Sequence, residues 1–164
     1  MSRQRSATTT LQRRISVIAF AAAAAAAAAV ISVAAYAATP VEIQKQRHEH
    51  YEQLGDAFKT VRDNSKGTPD YAALDKALGV IQKATENQQQ WFPKGTGPEA
   101  GKTRALPEIW SKPDDFTAAQ KLFTDKVGPL AVAVKARDVD AIGKAFREVG
   151  GSCKNCHDSF RAPE

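Results

Sequence analysis

Apolar residues recur at spacings of three and four along four stretches of this chain, and this periodicity constrains its fold more than any other feature. Such spacing places the apolar side chains on one face of an α-helix. The predicted helices run from about residue 41 to 64, from 69 to 86, from 114 onwards and from 138 onwards. No stretch after residue 38 alternates apolar and polar residues over the length of a strand. The pattern therefore predicts an all-α protein.

Each predicted helix carries its own apolar stripe, and local signals mark where a helix begins or bends. The stripes are Ile43, Tyr51, Leu54, Phe58 and Val61 in the first helix, Tyr71, Leu74, Leu78 and Ile81 in the second, Phe116, Phe123, Val127, Leu130 and Val134 in the third, and Ile142, Phe146, Val149, Cys153, Cys156 and Phe160 in the fourth. Thr68 is a predicted N-cap, with Pro69 as the first helical residue. Gly128-Pro129 predicts a kink in the third helix, because Pro129 has no amide hydrogen to donate.

The last stripe contains the pentapeptide Cys153-Lys154-Asn155-Cys156-His157. C-x-x-C-H is the attachment signature of a c-type haem. Two thiols one helical turn apart can form thioethers with two vinyl-derived carbons of one porphyrin, and the next imidazole then reaches the iron. Both cysteines of the chain lie in this motif. It predicts one haem c attached through Cys153 and Cys156, with His157 as the metal ligand. A redox dithiol, a haem-free metal site, a structural disulfide and a chance match are the alternatives.

The connection between the second and third helices, residues 87–112, is much longer than the other two connections. Connections of this length inside a compact domain are uncommon and often functional. This one carries both tryptophans, Trp91 and Trp110, which favours packing over disorder. They either anchor the connection to the bundle, which is the interpretation we prefer, or contact the haem edge. The connection lengths predict an antiparallel four-helix bundle with a long crossover between helices 2 and 3 and haem c in the bundle.

Residues 1–38 have the layout of a secretory signal peptide. Four arginines precede an apolar run of 24 residues from Ile15 to Ala38, and Ala35-Tyr36-Ala37 offers a small-x-small cleavage signal. The run is also long enough to span a bilayer, so an uncleaved membrane anchor is the alternative. We expect residues 39–164 to form one haem domain located in the periplasm.

The positive charge of the chain belongs largely to the leader. The whole chain has a formal charge of +5, from 23 basic and 18 acidic residues. Four of the basic residues and none of the acidic ones lie in residues 1–38, which leaves residues 39–164 close to +1. A nearly neutral domain lacks the basic surface that a nucleic-acid partner requires. We therefore exclude nucleic acid as a partner.

Three stretches make the chain resemble the cytochrome c′ family, the class II c-type cytochromes with haem near the C-terminus. They are Arg47-x-x-x-Tyr51-x-x-x-Gly55, then Phe92-Pro93 with Pro107-Glu108-Ile109-Trp110, and finally Cys153-x-x-Cys156-His157 with Arg161. The resemblance covers about residues 41–161 and implies a four-helix bundle with His157 as the proximal iron ligand. It also implies that Tyr51 faces the distal side of the iron; an ordinary core aromatic is the alternative.

The same resemblance implies further roles for two arginines. It suggests that Arg47 pairs with a haem propionate, and a plain surface arginine is the alternative. Arg161, one turn beyond His157, either tunes the imidazole electrostatically or complements the end of its helix. His48 and His50 lie between Arg47 and Tyr51 in this motif. We interpret their polar run as a solvated helix face, and a ligand role for either histidine is the alternative.

The residues available to the iron leave two functions open. Met1 is the only methionine, so residues 39–164 offer no methionine as a sixth ligand, and we expect a five-coordinate, high-spin haem. Nothing on the Tyr51 stripe supplies the polar pair of a peroxidase, so we expect no enzyme. We expect an electron carrier for periplasmic redox partner proteins, and binding of nitric oxide or carbon monoxide at the distal site is the alternative. The resemblance further implies a homodimer formed through the first two helices.

Overall fold

Four long helices dominate the computed structural model, which describes residues 38–163. They are α1 (Pro40–Asp63), α2 (Tyr71–Asn87), α3 (Pro113–Ala136) and α4 (Val139–Phe160). α1 packs against α2 and α4, and α3 packs against α2 and α4. This arrangement is the predicted four-helix bundle. The predicted signal peptide lies outside the described residues, and within residues 38–163 no helix is long and apolar enough to cross a membrane.

Side-chain caps fix where three of the helices begin. α1 has a capping box, in which the Thr39 amide donates to Glu42 Oε2 at 2.7 Å and the Glu42 amide donates to Thr39 Oγ1 at 3.3 Å. Asp138 caps α4 by accepting from the Ala141 amide at 2.9 Å. Each cap satisfies a backbone donor that has no partner within its helix.

The predicted start of α2 is wrong by two residues. Asp70, rather than Thr68, is the N-cap, and it accepts from the Ala73 amide at 3.0 Å. The amide of Asp70 in turn donates to Asn64 Oδ1 at 2.7 Å. Asn64 at the end of α1 thus holds the cap in place, and Pro69 stays outside the helix. The contact joins residues six positions apart across the turn, and the local helix signals do not reveal it.

α3 runs without interruption through Pro129. Pro129 is exposed, so water can satisfy the carbonyl that loses its helical hydrogen bond. The helix is followed by Arg137 in the left-handed conformation, with φ of 58°. Arg137 donates to both carboxylate oxygens of Asp75, at 2.8 and 2.7 Å, and this pair ties the α3–α4 corner to α2.

The interior divides into two clusters of apolar side chains. The main cluster fills most of the bundle, and the crossover cluster, formed by Ile109, Phe116, Ala119 and Phe160, lies at the end where the long connection passes. The fully buried members of the main cluster are the predicted stripe residues Val61, Leu74, Ile81, Leu130, Val134, Ile142 and Val149. Cys153 packs against the main cluster and Cys156 against the crossover cluster. The two cysteines therefore lie where the clusters meet.

Candidate haem site

Cys153 and Cys156 lie one turn apart near the end of α4, and both are half-buried free thiols. Burial raises the pKa of the Cys153 thiol. Burial, together with the neighbouring Cys153, raises the pKa of Cys156 to about 11. The helix thus presents two neutral sulfur atoms toward the interior, on the face that the periodicity predicted.

His157 follows directly and presents a half-buried imidazole. Burial lowers its pKa, and the positive charges of Arg161 and Arg104 lower it further. A neutral imidazole is the form that binds a metal. Arg161 Nη1 lies 3.4 Å from Nδ1 of His157, so the structure places Arg161 beside the imidazole as the tuning hypothesis requires.

The crossover pairs with the residues that follow His157. The Leu106 amide donates to Phe160 O at 3.0 Å, and the Ala162 amide donates to Arg104 O at 2.8 Å. Arg104 Nε also donates to Ala162 O at 2.9 Å. This short antiparallel pairing brings Arg104 close enough to influence His157. Sequence reasoning missed Arg104, because nothing in the local pattern around it signals the pairing.

Tyr51 approaches the cysteine turn from α1. The ring is half-buried and meets Trp91 edge-on, with centroids 5.2 Å apart and planes at 88°. Burial raises the pKa of the Tyr51 phenol, and the electrostatic influence of Cys156 and Cys153 raises it further. The side chain is therefore a neutral phenol in the same region as the two sulfurs. The structure brings together the residues that the resemblance assigned to opposite sides of one haem.

Arg47 is buried, with only 4% of its surface exposed, so the alternative of a plain surface arginine is wrong. Its guanidinium donates four hydrogen bonds, of 2.9–3.2 Å, to uncharged acceptors in the crossover. The acceptors are Trp91 O, Thr96 O, Thr96 Oγ1 and Thr103 Oγ1. Burying a cation without a counter-charge is costly. A carboxylate supplied by a bound group would reduce that cost.

The crossover is packed tightly onto α1 and onto itself. Gln44 donates to Gly97 O at 2.7 Å, next to the Arg47 contacts. Trp110 Nε1 donates to Phe92 O at 3.1 Å, and a side chain at Gly97 would lie 2.9 Å from the Trp110 ring. These contacts agree with the anchoring role that we preferred for the tryptophans.

The two histidines of α1 behave differently from each other. His48 Nε2 lies 3.4 Å from Glu52 Oε1 on an exposed surface, as expected of a solvated face. The His50 ring is exposed on one side but stacks on Trp91, with centroids 4.7 Å apart and planes at 20°. The prediction of a purely solvated run is therefore incomplete for His50.

The chemistry of these side chains fits a haem c. Two neutral thiols at the required spacing can carry the thioethers, and the adjacent neutral imidazole can hold the iron. The buried Arg47 guanidinium suits a propionate, and Tyr51 lies on the α1 side of the cysteine turn. Together the fold and the site define a class of protein, a c-type haem protein built on a four-helix bundle.

Comparison with known proteins narrows this class to one family. Residues 42–161 match the family model described as Cytochrome C'. The chain is 34% identical over 124 residues to cytochrome c′ of Alcaligenes xylosoxydans xylosoxydans, a match that covers 76% of this chain and 96% of that protein. The chain belongs to the cytochrome c′ family and binds haem c.

Solved structures share the fold. One is a nitric oxide complex of a mutant cytochrome c prime from Alcaligenes xylosoxidans, with a TM-score of 0.67 at 29% identity, covering 78% of this chain and 99% of that one. Another is a cytochrome c′ described as having an unusual ligand-controlled dimer dissociation, with a TM-score of 0.71 at 26% identity, covering 77% of this chain and 99% of that one. The four-helix bundle predicted from the sequence is confirmed.

Proposed function

We propose that this chain binds a diatomic gas, nitric oxide or carbon monoxide, reversibly at the distal side of a five-coordinate haem. The observation that carries this proposal is the side chain at the distal position. Tyr51 is a half-buried neutral phenol, and a neutral phenol is a poor ligand for ferrous iron. Residues 39–164 contain no methionine that could take its place.

The side chains of α4 and those of α1 have different roles in the proposed site. Cys153 and Cys156 would hold the porphyrin on α4, and His157 would bind its iron. Haem c would supply there an iron able to take up a gas or to pass one electron. Tyr51 would restrict access to that iron by its volume, while Arg47 offers a buried positive charge to a propionate. The nitric oxide complex of the Alcaligenes xylosoxidans protein supports this assignment.

The optical spectrum of the reduced holoprotein tests the proposal. We expect a broad, high-spin Soret band that sharpens when carbon monoxide is added. A sharp low-spin spectrum without added gas would show that a side chain of the protein occupies the sixth position. The proposal would then be wrong, and His48, His50 or a lysine would be the residue to examine.

Electron transfer to periplasmic redox partner proteins is the second candidate function. Lys154 and Asn155, inside the attachment motif, are exposed, so the turn that carries the haem reaches the protein surface. Surface access is what outer-sphere electron exchange with another protein requires. Rapid reduction by a small c-type cytochrome, measured by stopped flow at several salt concentrations, would support this function. Exchange that is slow under all conditions would argue against it. We propose no catalytic activity.

We also propose export to the periplasm, with removal of residues 1–38. The basic start, apolar run and small-x-small signal of the leader support it. The intact mass of the protein from the periplasmic fraction tests the cleavage and the haem together. We expect the mass of residues 39–164, or a neighbouring cleavage product, plus one haem. An uncleaved chain in the membrane fraction would favour the anchor instead.

We further propose a homodimer that pairs through α1 and α2 and that dissociates more readily when gas binds. The relative with ligand-controlled dimer dissociation supports this proposal. Tyr51 lies on α1, so displacement of its ring by a ligand would disturb that helix. Sedimentation of the reduced protein with and without carbon monoxide should show a lower mass in the presence of gas. A mass that does not change would contradict the coupling.

A further inference from the structure

The indole of Trp91 lies between two neighbouring side chains of α1. His50 stacks on its face, with centroids 4.7 Å apart. Tyr51 meets it edge-on, with centroids 5.2 Å apart. Stacked and edge-to-face geometries are both favourable for aromatic rings. The adjacent residues His50 and Tyr51 of α1 therefore contact the Trp91 ring from two directions.

The backbone of Trp91 is held by the same helix. Arg47 Nη1 donates to Trp91 O at 3.2 Å, and the Arg47 guanidinium also lies 4.7 Å above the ring of Phe92, the next residue. Trp91 itself packs against the main cluster. The indole therefore has little freedom to move away from Tyr51 while His50 covers its outer face.

Tyr51 needs space if a gas is to reach the distal side of the site. Its ring touches Trp91 and also approaches Phe92, at 6.2 Å between centroids. Protein interiors are close-packed, so a ring displaced into such a cluster needs a neighbouring side chain to move as well. The Tyr51 ring can therefore be displaced only as readily as the Trp91 ring can move.

We propose that His50 is a positioning residue for the distal pocket. By stacking on Trp91, it restrains the ring that backs Tyr51 and so slows the entry of diatomic gases. His50 touches neither the iron nor the gas, and it acts only through Trp91. This inference rests on the proposed gas-binding function and assigns to that site a control residue at the protein surface.

The chain supplies a matched control for the test. His48 is on the same helix and is also exposed, but its imidazole contacts the carboxylate of Glu52 and not an aromatic ring. The variants His50→Ala and His48→Ala therefore each remove an exposed imidazole from the same helix. Only the first removes the stack on Trp91. His50→Phe restores a flat ring at the position.

Carbon monoxide association with the reduced holoproteins, followed by stopped flow, gives the first readout. Loss of one aromatic contact should raise the association rate of His50→Ala about three- to tenfold. We expect His48→Ala to match the native rate and His50→Phe to stay within about twofold of it. Equal rates for His50→Ala and His48→Ala would overturn the inference while leaving gas binding intact. If the native chain bound no carbon monoxide, the proposed function and this inference would both be wrong.

Proton NMR of the carbon monoxide-saturated, reduced protein gives a second readout that does not depend on rates. Ring current from Trp91 should move the His50 ring protons upfield of the His48 ring protons. The two alanine variants assign the signals. Trp91→Phe, with its smaller ring, should reduce the His50 shift. If the His50 protons resonate with those of His48, the stack is absent in solution and the inference is wrong.

Discussion

At the scale of single residues, Arg47 shows how one buried charge organises this site. Its guanidinium holds Trp91, Thr96 and Thr103 of the crossover, although the residue itself belongs to α1. The planar guanidinium of arginine carries five N–H donors in a fixed fork, whereas the ammonium of lysine carries three on a single nitrogen. The crossover therefore takes its position from a side chain one helical turn away from Tyr51.

Arg47→Leu should destabilise the holoprotein by about 2–4 kcal/mol, because it leaves several buried acceptors without donors. The stability of Arg47→Lys should lie between that of Arg47→Leu and that of the native chain. Urea unfolding followed by circular dichroism measures the effect. The control is Arg62→Leu, which removes an exposed arginine that pairs with Asp63 on the same helix. A loss for Arg47→Leu no larger than for Arg62→Leu would contradict the role given to Arg47.

We expect the proposed distal role of Tyr51 to depend on the volume of its ring and not on its hydroxyl group. Tyr51→Phe should bind carbon monoxide at nearly the native rate, since the ring remains in place. Tyr51→Ala should bind it at least about tenfold faster, corresponding to a barrier lower by about 1.4 kcal/mol. Flash photolysis of the reduced proteins measures both rates. A large change in Tyr51→Phe would instead point to a hydrogen-bonding role for the phenol.

At the scale of elements, sequence periodicity predicted the helices well and their ends less well. The starts of α1 and α4 agree with the sequence to within a residue or two, because the Thr39 and Asp138 caps act locally. The start of α2 differs because Asn64, six residues earlier in the chain, holds the Asp70 amide. The path of the crossover is likewise fixed by contacts with residues distant in sequence, namely those of α1 and those that follow α4. Local pattern carries no record of such contacts.

The N-cap of α4 matters because this helix carries the haem motif. Asp138→Ala should cost about 1 kcal/mol of unfolding free energy, since it leaves the Ala141 amide without its partner. Asp140→Ala, two residues further into the same helix, removes the same charge without removing the cap. Urea unfolding of the two variants separates the capping bond from the charge. Equal losses would mean that the capping bond contributes nothing measurable.

The link between α2 and the α3–α4 corner should depend on pH. The pKa of Asp75 is lowered, chiefly by its hydrogen bond from Arg137. A carboxyl group whose pKa is lower in the folded chain stabilises the fold above its unfolded pKa, and this is lost as the pH falls through the folded value. We therefore expect Asp75→Asn to lower the Tm at neutral pH and to converge with the native Tm in acid.

Thermal unfolding across the acid range measures this convergence. Asp56→Asn is a suitable control, because Asp56 is an exposed aspartate of α1. Its Tm should follow that of the native chain throughout. A Tm difference for Asp75→Asn that persists unchanged into acid would show that the ion pair does not cause it.

At the scale of the whole molecule, the two interior clusters meet at the cysteine turn. The sequence predicted Cys153, Cys156 and His157 directly, because their spacing reflects the chemistry of attachment. It placed Tyr51 through periodicity and Arg47 through resemblance, but it could not show that Arg47 is buried. The contributions of Arg104, His50 and Trp91 arise from contacts between residues 40 or more positions apart. Only the folded chain brings these residues together.

Removal of both thiols should separate the contributions of the chain and of the haem. The double variant Cys153→Ala, Cys156→Ala should be colourless. It should keep much of its helical far-UV circular dichroism, but its near-UV circular dichroism should be weak and its Tm lower. The clusters would then pack without the group that joins them. Ser159→Ala, an exposed change on the same helix, should leave all three measurements as in the native holoprotein. A double variant with native near-UV signal and Tm would contradict this view of the interior.

The pairing of Leu106 with Phe160 and of Ala162 with Arg104 has a practical consequence for anyone who prepares this protein. An affinity tag fused to the carboxyl terminus would begin within a few residues of this pairing and of the Arg161 guanidinium. We expect such a fusion to disturb the surroundings of His157, the proposed iron ligand, and with them the colour and potential of the preparation. A cleavable tag, removed before spectra are recorded, avoids that artefact.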